Sequence, residues 1–337
     1  MKYVIDPMLF ALKKDFSEKE FIQFVNMVLL WDNWLELYPN DVFMLSDSEN
    51  ILASASCYPI YNVFNELKTK YKINHVASKD LNKAIQNIFN KSNKIDCKKM
   101  DGNFIIISTD YKCNPTDKNC KKLLWFLFCQ CKANGEKPEK YVLFSKNITD
   151  DTTFKVKYQF INESIGDFVE KQEEINVYCK KSLPAFFKCD DATNIILRQA
   201  KTKNDVDLAV RVATYKNGNL KRVADCIDKK KYNFIIQKSF FSDLTATHYQ
   251  TNISLQNSIM EAMSHTLLNL NMGKREDFRI DAGGNSPQKH HGEYYAWRRY
   301  VTYNTKMQYW QKENRYKFAS INTHNEFKCC WEDYEDD

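Results

Sequence analysis

Histidine is unevenly placed in this chain of 337 residues: five of its six imidazoles, His248, His265, His290, His291 and His324, lie at or beyond residue 248. An imidazole titrates near neutral pH and can accept or deliver a proton there. His324 has Glu326 two residues further on, and His290 and His291 precede Gly292 in a stretch expected to be a loop. His265 is expected to be solvated, off the apolar stripe of its helix, and His248 to sit in a loop. Arg298, Arg299, Lys306 and Arg315 crowd the same region. A guanidinium fork grips two phosphate oxygens at once, and a lysine ammonium neutralises a third. Tyr294, Tyr295, Tyr303, Tyr309, Trp297 and Trp310 are interleaved with these cations. Their rings can stack on unpaired bases, at roughly 1–3 kcal/mol per base. Strand aromatics also pack cores, and about half of these are expected to do so.

The elements that must position these groups are short. FRIDAG, EYYAWRRYVTY, KMQYWQ and RYKFASI are aromatic-rich stretches parted by polar turns, the signature of a small antiparallel sheet. Side chains alternate across a strand, so Arg298 and Arg299 point to opposite faces. With Trp297 and Val301 turned to the core, Arg298 shares the open face with Tyr294 and Tyr300. Ahead of the sheet, NFIIQKSFFSDL opens as a strand, and Leu255, Ile259, Met263, Leu267 and Leu270 line one side of a helix that Asn271 and Gly273 stop.

Nearer the start, KYVIDPMLF reads as a buried strand stopped by Pro7, and Ser17 with Glu20 forms a capping box for a helix. Phe21, Phe24, Val25, Val28 and Leu35 give that helix its core stripe. Strands are expected near residues 103–109 and 140–145, with an apolar helix around 119–131 between them. From about residue 163 the pattern turns helical, most clearly in VDLAVRVATY, before a turn at KNGN. The expected fold is α/β (α+β): an α/β region over 1–150, a mainly helical connection over 151–230, a small antiparallel sheet on helices over 231–328, and an acidic tail over 329–337.

Hydrophobic residues at 43% and only 8 glycines and 7 prolines describe a packed globular chain rather than a disordered one. The net charge of +6 is modest, but its distribution is informative. Residues 231–328 hold 13 basic and 8 acidic side chains, whereas residues 329–337 hold 5 acidic and no basic ones. No segment has the roughly 20 apolar residues of a membrane span or the pattern of a leader peptide. A cytoplasmic location without membrane association is therefore expected. Eleven irregularly spaced cysteines suit reduced, buried thiols. Cys113, Cys120, Cys129 and Cys131 are expected to pack a core rather than hold zinc, and no metal or other cofactor is expected.

The order of strand, helical segment and antiparallel strands resembles the RelE/ParE-like toxins. FIIQKSFFSDL resembles the opening strand and helix start of that family, YYAWRRYVTYNTKMQYW its central hairpin, and RYKFASINTHNEF its last strand and catalytic tail. The resemblance covers about 100 residues, and residues 1–230 resemble no family over their length. It implies a metal-independent endoribonuclease, in prokaryotic anti-phage defence or growth arrest as toxin–antitoxin proteins are. In such chemistry the 2′-hydroxyl attacks the adjacent phosphate while one proton is removed, another supplied and the developing charge stabilised. The implied catalytic set is Arg298, Lys306, Arg315, His324 and Glu326, with His290, His291, Tyr294, Arg299, Tyr303 and Tyr309 contacting substrate. RNA, with ribosome association, is the implied partner. The extra 230 residues suggest an inhibitory or sensing partner, and the acidic tail a phosphate mimic folded back over the basic sheet.

Two other readings stay open. MKYVID resembles the opening strand of PIN-like nucleases, which would make Asp6, Asp32, Asp47, Glu49 and Asp110 candidate Mg²⁺ ligands. A RelE/ParE-like fold can also serve only to bind nucleic acid or a partner protein within a defence system.

Overall fold

The computed structural model describes residues 1–95, 104–111, 118–133, 135, 137–148, 152–162, 166–228, 230–271, 273–281, 285–323 and 329–332. The fold is α/β with two mixed sheets, and the chain divides into two compact units, Met1–Ala185 and Phe186–Asp337.

The first unit opens with β1 (Lys2–Ile5), α1 (Glu18–Leu37), β2 (Val42–Leu45), α2 (Ser48–Ser54), α3 (Tyr61–Tyr71), α4 (Ser78–Lys91) and β3 (Asn93–Ile95). It continues through β4 (Phe104–Tyr111), α5 (Lys118–Ala133), β5 (Tyr141–Phe144), β6 (Thr152–Asn162) and β7 (Asp167–Lys180). The sheet runs β3-β2-β1-β5-β7-β6-β4, parallel from β3 to β7 and antiparallel beyond. Its parallel strands are buried on both faces, as parallel strands must be. Tyr3 and Phe144 meet Trp34 and Trp31 of α1 on one side, while Val4 and Leu143 join the α5 cluster on the other. Ser17 and Glu20 make the expected capping box, and the stripe Phe21, Phe24, Val25, Val28 and Leu35 is buried. Cys120, Cys129 and Cys131 are buried thiols of the α5 core, and Cys113 lies outside the described residues.

Residues 152–180 differ from the helical expectation. Their Lys- and Glu-rich composition suits a helix on intrinsic propensity, yet the chain forms the long β6–β7 hairpin. Cross-strand charge pairing favours that outcome: Lys155 stands opposite Glu174, and the Lys157 Nζ lies 2.6 Å from Glu170 Oε1.

The second unit takes up α6 (Leu183–Lys188), which straddles the division, then α7 (Ala192–Gln199), α8 (Lys203–Asn217) and α9 (Val223–Ile227). These are followed by β8 (Asn233–Ile236), α10 (Lys238–Ala246), α11 (Ile253–Leu267), β9 (Arg275–Asp277), β10 (His290–His291), β11 (Tyr294–Tyr300), β12 (Thr305–Lys312) and β13 (Arg315–Thr323). Helices expected to connect two domains thus belong to the second, because α8 packs against α7, α11 and β8. The sheet runs β10-β11-β12-β13-β8, with β9 on the outer edge of β11. It is antiparallel except that β8 joins β13 in parallel, a long-range pairing that local pattern does not announce.

Candidate functional site

Alternation assigns the two faces of the C-terminal sheet. Phe318 packs on Phe234 and Phe240, with Met307, Tyr309 and Ile321 buried on the same side. The opposite face carries Tyr294, Ala296, Arg298 and Tyr300 on β11, then Lys306, Gln308 and Trp310 on β12 across from them. A bulge between Gln308 and Tyr309 makes Ala319 the extra residue of β13. It turns Ser320 toward the same face as Ala319, where its Oγ donates to Gln308 Oε1 at 2.9 Å. Ala296 and Ala319 leave room for the indole of Trp310, which is 1% exposed.

Arg298 lies on the face turned away from the helices, as expected from alternation, but that face is not open: Ala296, Lys306, Gln308, Trp310 and Ser320 on it are all buried. The Arg298 Nε and one terminal nitrogen each lie 2.6 Å from Glu276 Oε2, and Lys274 binds the same carboxylate. Burial works to raise the Glu276 carboxyl, but Lys274 and Arg298 outweigh it and hold it below the usual carboxylate range. Lys306 lies opposite Tyr300, its Nζ 4.3 Å from the ring centroid, and is 2% exposed. Lys274 approaches that ring too, at 5.5 Å. Lys306 also stands opposite Asn322, and Thr323, the next residue, ends β13 opposite Thr305. Arg298, Tyr300, Lys306, Gln308, Ser320 and Asn322 thus form one polar cluster at the end of the sheet where β13 finishes, with Lys306, Gln308, Ser320 and Asn322 buried and Arg298 and Tyr300 half-buried.

Arg315 does not join them. It is exposed at the start of β13, seven residues from Asn322, of which one is the bulged residue, which places it about 20 Å away at roughly 3.3 Å per residue. His290 and His291 form β10 and pair with Tyr295 and Tyr294 toward that far end. Here Lys317 lies 5.3 Å from the Tyr294 ring, and Lys289 lies 5.8 Å from the Trp310 ring. Tyr303 is 89% exposed in the β11–β12 turn. His324 and Glu326 lie outside the described residues.

Two expected substrate contacts face inward. Tyr309 is fully buried against the helices, and burial raises its phenol. Arg299 is 3% exposed; burial lowers its guanidinium, which donates to Leu270 O just beyond α11. Neither offers a surface to an unpaired base. His265, expected in solvent, is 6% exposed because α11 is packed on both sides. Burial lowers its imidazole, Glu261 works against the shift and nearby Arg299 reinforces it. The unfolded state then holds more protons than the folded one below the ordinary value near 6.5. Stability from this group is fully present above that value and is lost as pH falls toward the depressed folded one. Denaturant titrations are expected to show this loss in the wild type and a flatter profile in His265→Gln.

Signals for Glu276, Gln308, Ser320 and Asn322 existed only through strand register, which puts them beside Arg298 and Lys306. A cleft of about 820 Å³ lined by Thr202, Lys203, Lys238, Phe241, Thr245 and His248 holds none of the expected site residues. In the first unit, Asp6 is buried and accepts from Met8 N and, at 2.5 Å, from Ser145 Oγ. Asp32 accepts from Asn87, Asp47 pairs with Lys122, and Glu49 accepts from the Tyr58 hydroxyl. The side chain of Asp110 lies outside the described residues. Among the described residues no three histidine, cysteine or acidic side chains come together as a metal site, and no helix is long and apolar enough to cross a membrane. No family model, no curated protein and no solved structure matches the chain.

Proposed function

We propose that the C-terminal unit binds single-stranded RNA along the face of its sheet turned away from the helices and cleaves it, as a cytoplasmic, metal-independent endoribonuclease like the RelE-like toxins it resembles. The observation that carries the reading is the alternation of cations with rings on that face: Lys274 and Lys306 at Tyr300, Lys317 at Tyr294, and Lys289 at Trp310. Phosphates and unpaired bases are the two surfaces such a face complements. In the cleavage step His324, aided by Glu326, removes the 2′-hydroxyl proton and the oxygen bonds to phosphorus. The bond to the 5′-oxygen breaks, that oxygen takes a proton from water, and a 2′,3′-cyclic phosphate remains. Arg298 stabilises the charge on the phosphate oxygens by contact, and buried Lys306 adds its positive field from beside the Tyr300 ring. His324 follows Thr323, the strand end beside Lys306, directly in the chain. Defence or growth arrest, with an inhibitory or sensing partner and the ribosome as setting, is the role such an activity fits.

One observation favours the second reading, binding without cleavage: Arg298 is held by Glu276 through Nε and one terminal nitrogen. A phosphate must displace that carboxylate before the guanidinium can serve it. Incubation of a labelled RNA with the protein in EDTA separates the two. The enzyme reading expects cyclic-phosphate products from the wild type and none from His324→Ala. Intact RNA that co-migrates with the wild-type protein leaves binding alone.

A further inference from the structure

The segment Cys329–Glu332 covers the far end of the face turned away from the helices, packing on Ala296, Trp310 and Ala319. Trp331 stacks on His291, with centroids 4.1 Å apart and planes 21° apart, and meets Tyr294 and Trp310 edge-on at 5.2 and 5.4 Å. The Lys317 ammonium lies 3.9 Å from the Trp331 ring. Backbone contacts pin the segment on either side: Trp310 Nε1 donates to Cys330 O at 2.7 Å and Lys289 Nζ to Cys329 O at 3.0 Å. The Glu332 carboxylate accepts from Lys238 N and Ser239 N at 2.8 and 2.7 Å, capping α10 from 93 residues away. Buried Gln237, turned so that both amide atoms find partners, donates to Cys330 O and accepts from Glu332 N.

An indole sandwiched by an imidazole, a phenol ring and a lysine has the surroundings an unpaired base seeks on a protein. We propose that His291, Tyr294, Trp310 and Lys317 form a stacking seat for one unpaired base of single-stranded RNA, and that Trp331 occupies this seat in the resting protein. The inference rests on the RNA-directed reading of this face and adds its base subsite and its gate. Glu332 is the latch, since its two charge-assisted bonds hold Trp331 in place. The acidic segment thus restrains the face through a ring and a helix cap, where the sequence suggested a phosphate mimic over the cations.

RNA must displace the strap, so its apparent affinity falls by the fraction of protein in which the seat is open. Anisotropy of a fluorescent 2′-O-methyl hexa-adenylate, which lacks the free 2′-hydroxyl, reads that affinity without cleavage. Glu332→Gln keeps the ring and weakens the latch; Trp331→Ala empties the seat. Each is expected to tighten binding about tenfold, the change that 1.4 kcal/mol carries. Lys317→Ala in the Trp331→Ala background is expected to erase the gain. Wild-type binding that neither variant improves, with both variants folded by circular dichroism, overturns the seat and leaves the RNA reading standing. Absence of binding in the wild type and both variants overturns both.

Discussion

Arg211→Ala is expected to destabilise the C-terminal unit by about 3 kcal/mol, read as a lowered denaturant midpoint at unchanged slope. Arg211 is 2% exposed on α8. Its Nε lies 2.8 Å from Asp207 Oδ1, one terminal nitrogen 3.2 Å from Asp207 Oδ2, and the other donates to Cys226 O at 3.0 Å. The guanidinium also rests 4.7 Å from the centroid of Phe234 on β8, which joins the helical layer to the sheet. Breaking a buried pair from one side costs roughly 3–5 kcal/mol because the other charge is stranded. Asp207 keeps 23% side-chain exposure and can recover some hydration, which puts the cost at the lower end of that range. Arg211→Met with Asp207→Asn removes both charges and is expected to recover part of the loss, since the two sites are coupled. A loss under about 1 kcal/mol for Arg211→Ala would mean that α8 and β8 are not held together through this side chain.

The largest functional effect belongs to Arg298 and Lys306. The double variant Arg298→Ala, Lys306→Met is expected to cleave RNA at least a hundredfold more slowly, the loss typical of removing a preorganised donor from a developing oxyanion. Methionine is chosen at position 306 because the lysine stem is buried under Tyr300, and an unbranched apolar chain retains that packing. Initial rates measured beside thermal melts separate lost charge from lost fold. Arg315→Ala, about 20 Å along the sheet, is expected to leave the rate nearly unchanged. Equal losses from Arg315 and from the Arg298/Lys306 pair would contradict the placement of the reacting phosphate.

Local signals carried much of this in the sequence. The Ser17/Glu20 box and the stripe from Phe21 to Leu35 marked α1, and four apolar residues before Ser145 marked β5. Period-two alternation also sorted Arg298 from Arg299, because a strand offers only two faces. What escaped was non-local. The β6–β7 hairpin is stabilised by charges on the facing strand, and β8 finds β13 some eighty residues away. Arg315 shares a strand with Asn322 but not an end of it, a matter of register rather than of residue type. Trp331 lay within a segment notable for its acids, so its ring drew no attention; its partners His291, Tyr294 and Lys317 come from three strands.

The central claim, that the face of the C-terminal sheet turned away from the helices takes RNA, is tested most directly by a salt titration of binding. Wild type, Lys317→Glu with Lys289→Glu, and Lys221→Glu on the exposed α8–α9 connection are compared on the uncleavable hexa-adenylate. Phosphate contacts release counterions, so the wild-type affinity is expected to fall linearly with salt on logarithmic axes. The Lys317/Lys289 double reversal should lose most of that affinity and Lys221→Glu little of it. Binding that ignores both salt and the Lys317/Lys289 reversals, or no binding at low salt by the wild type and Glu332→Gln alike, would contradict the account.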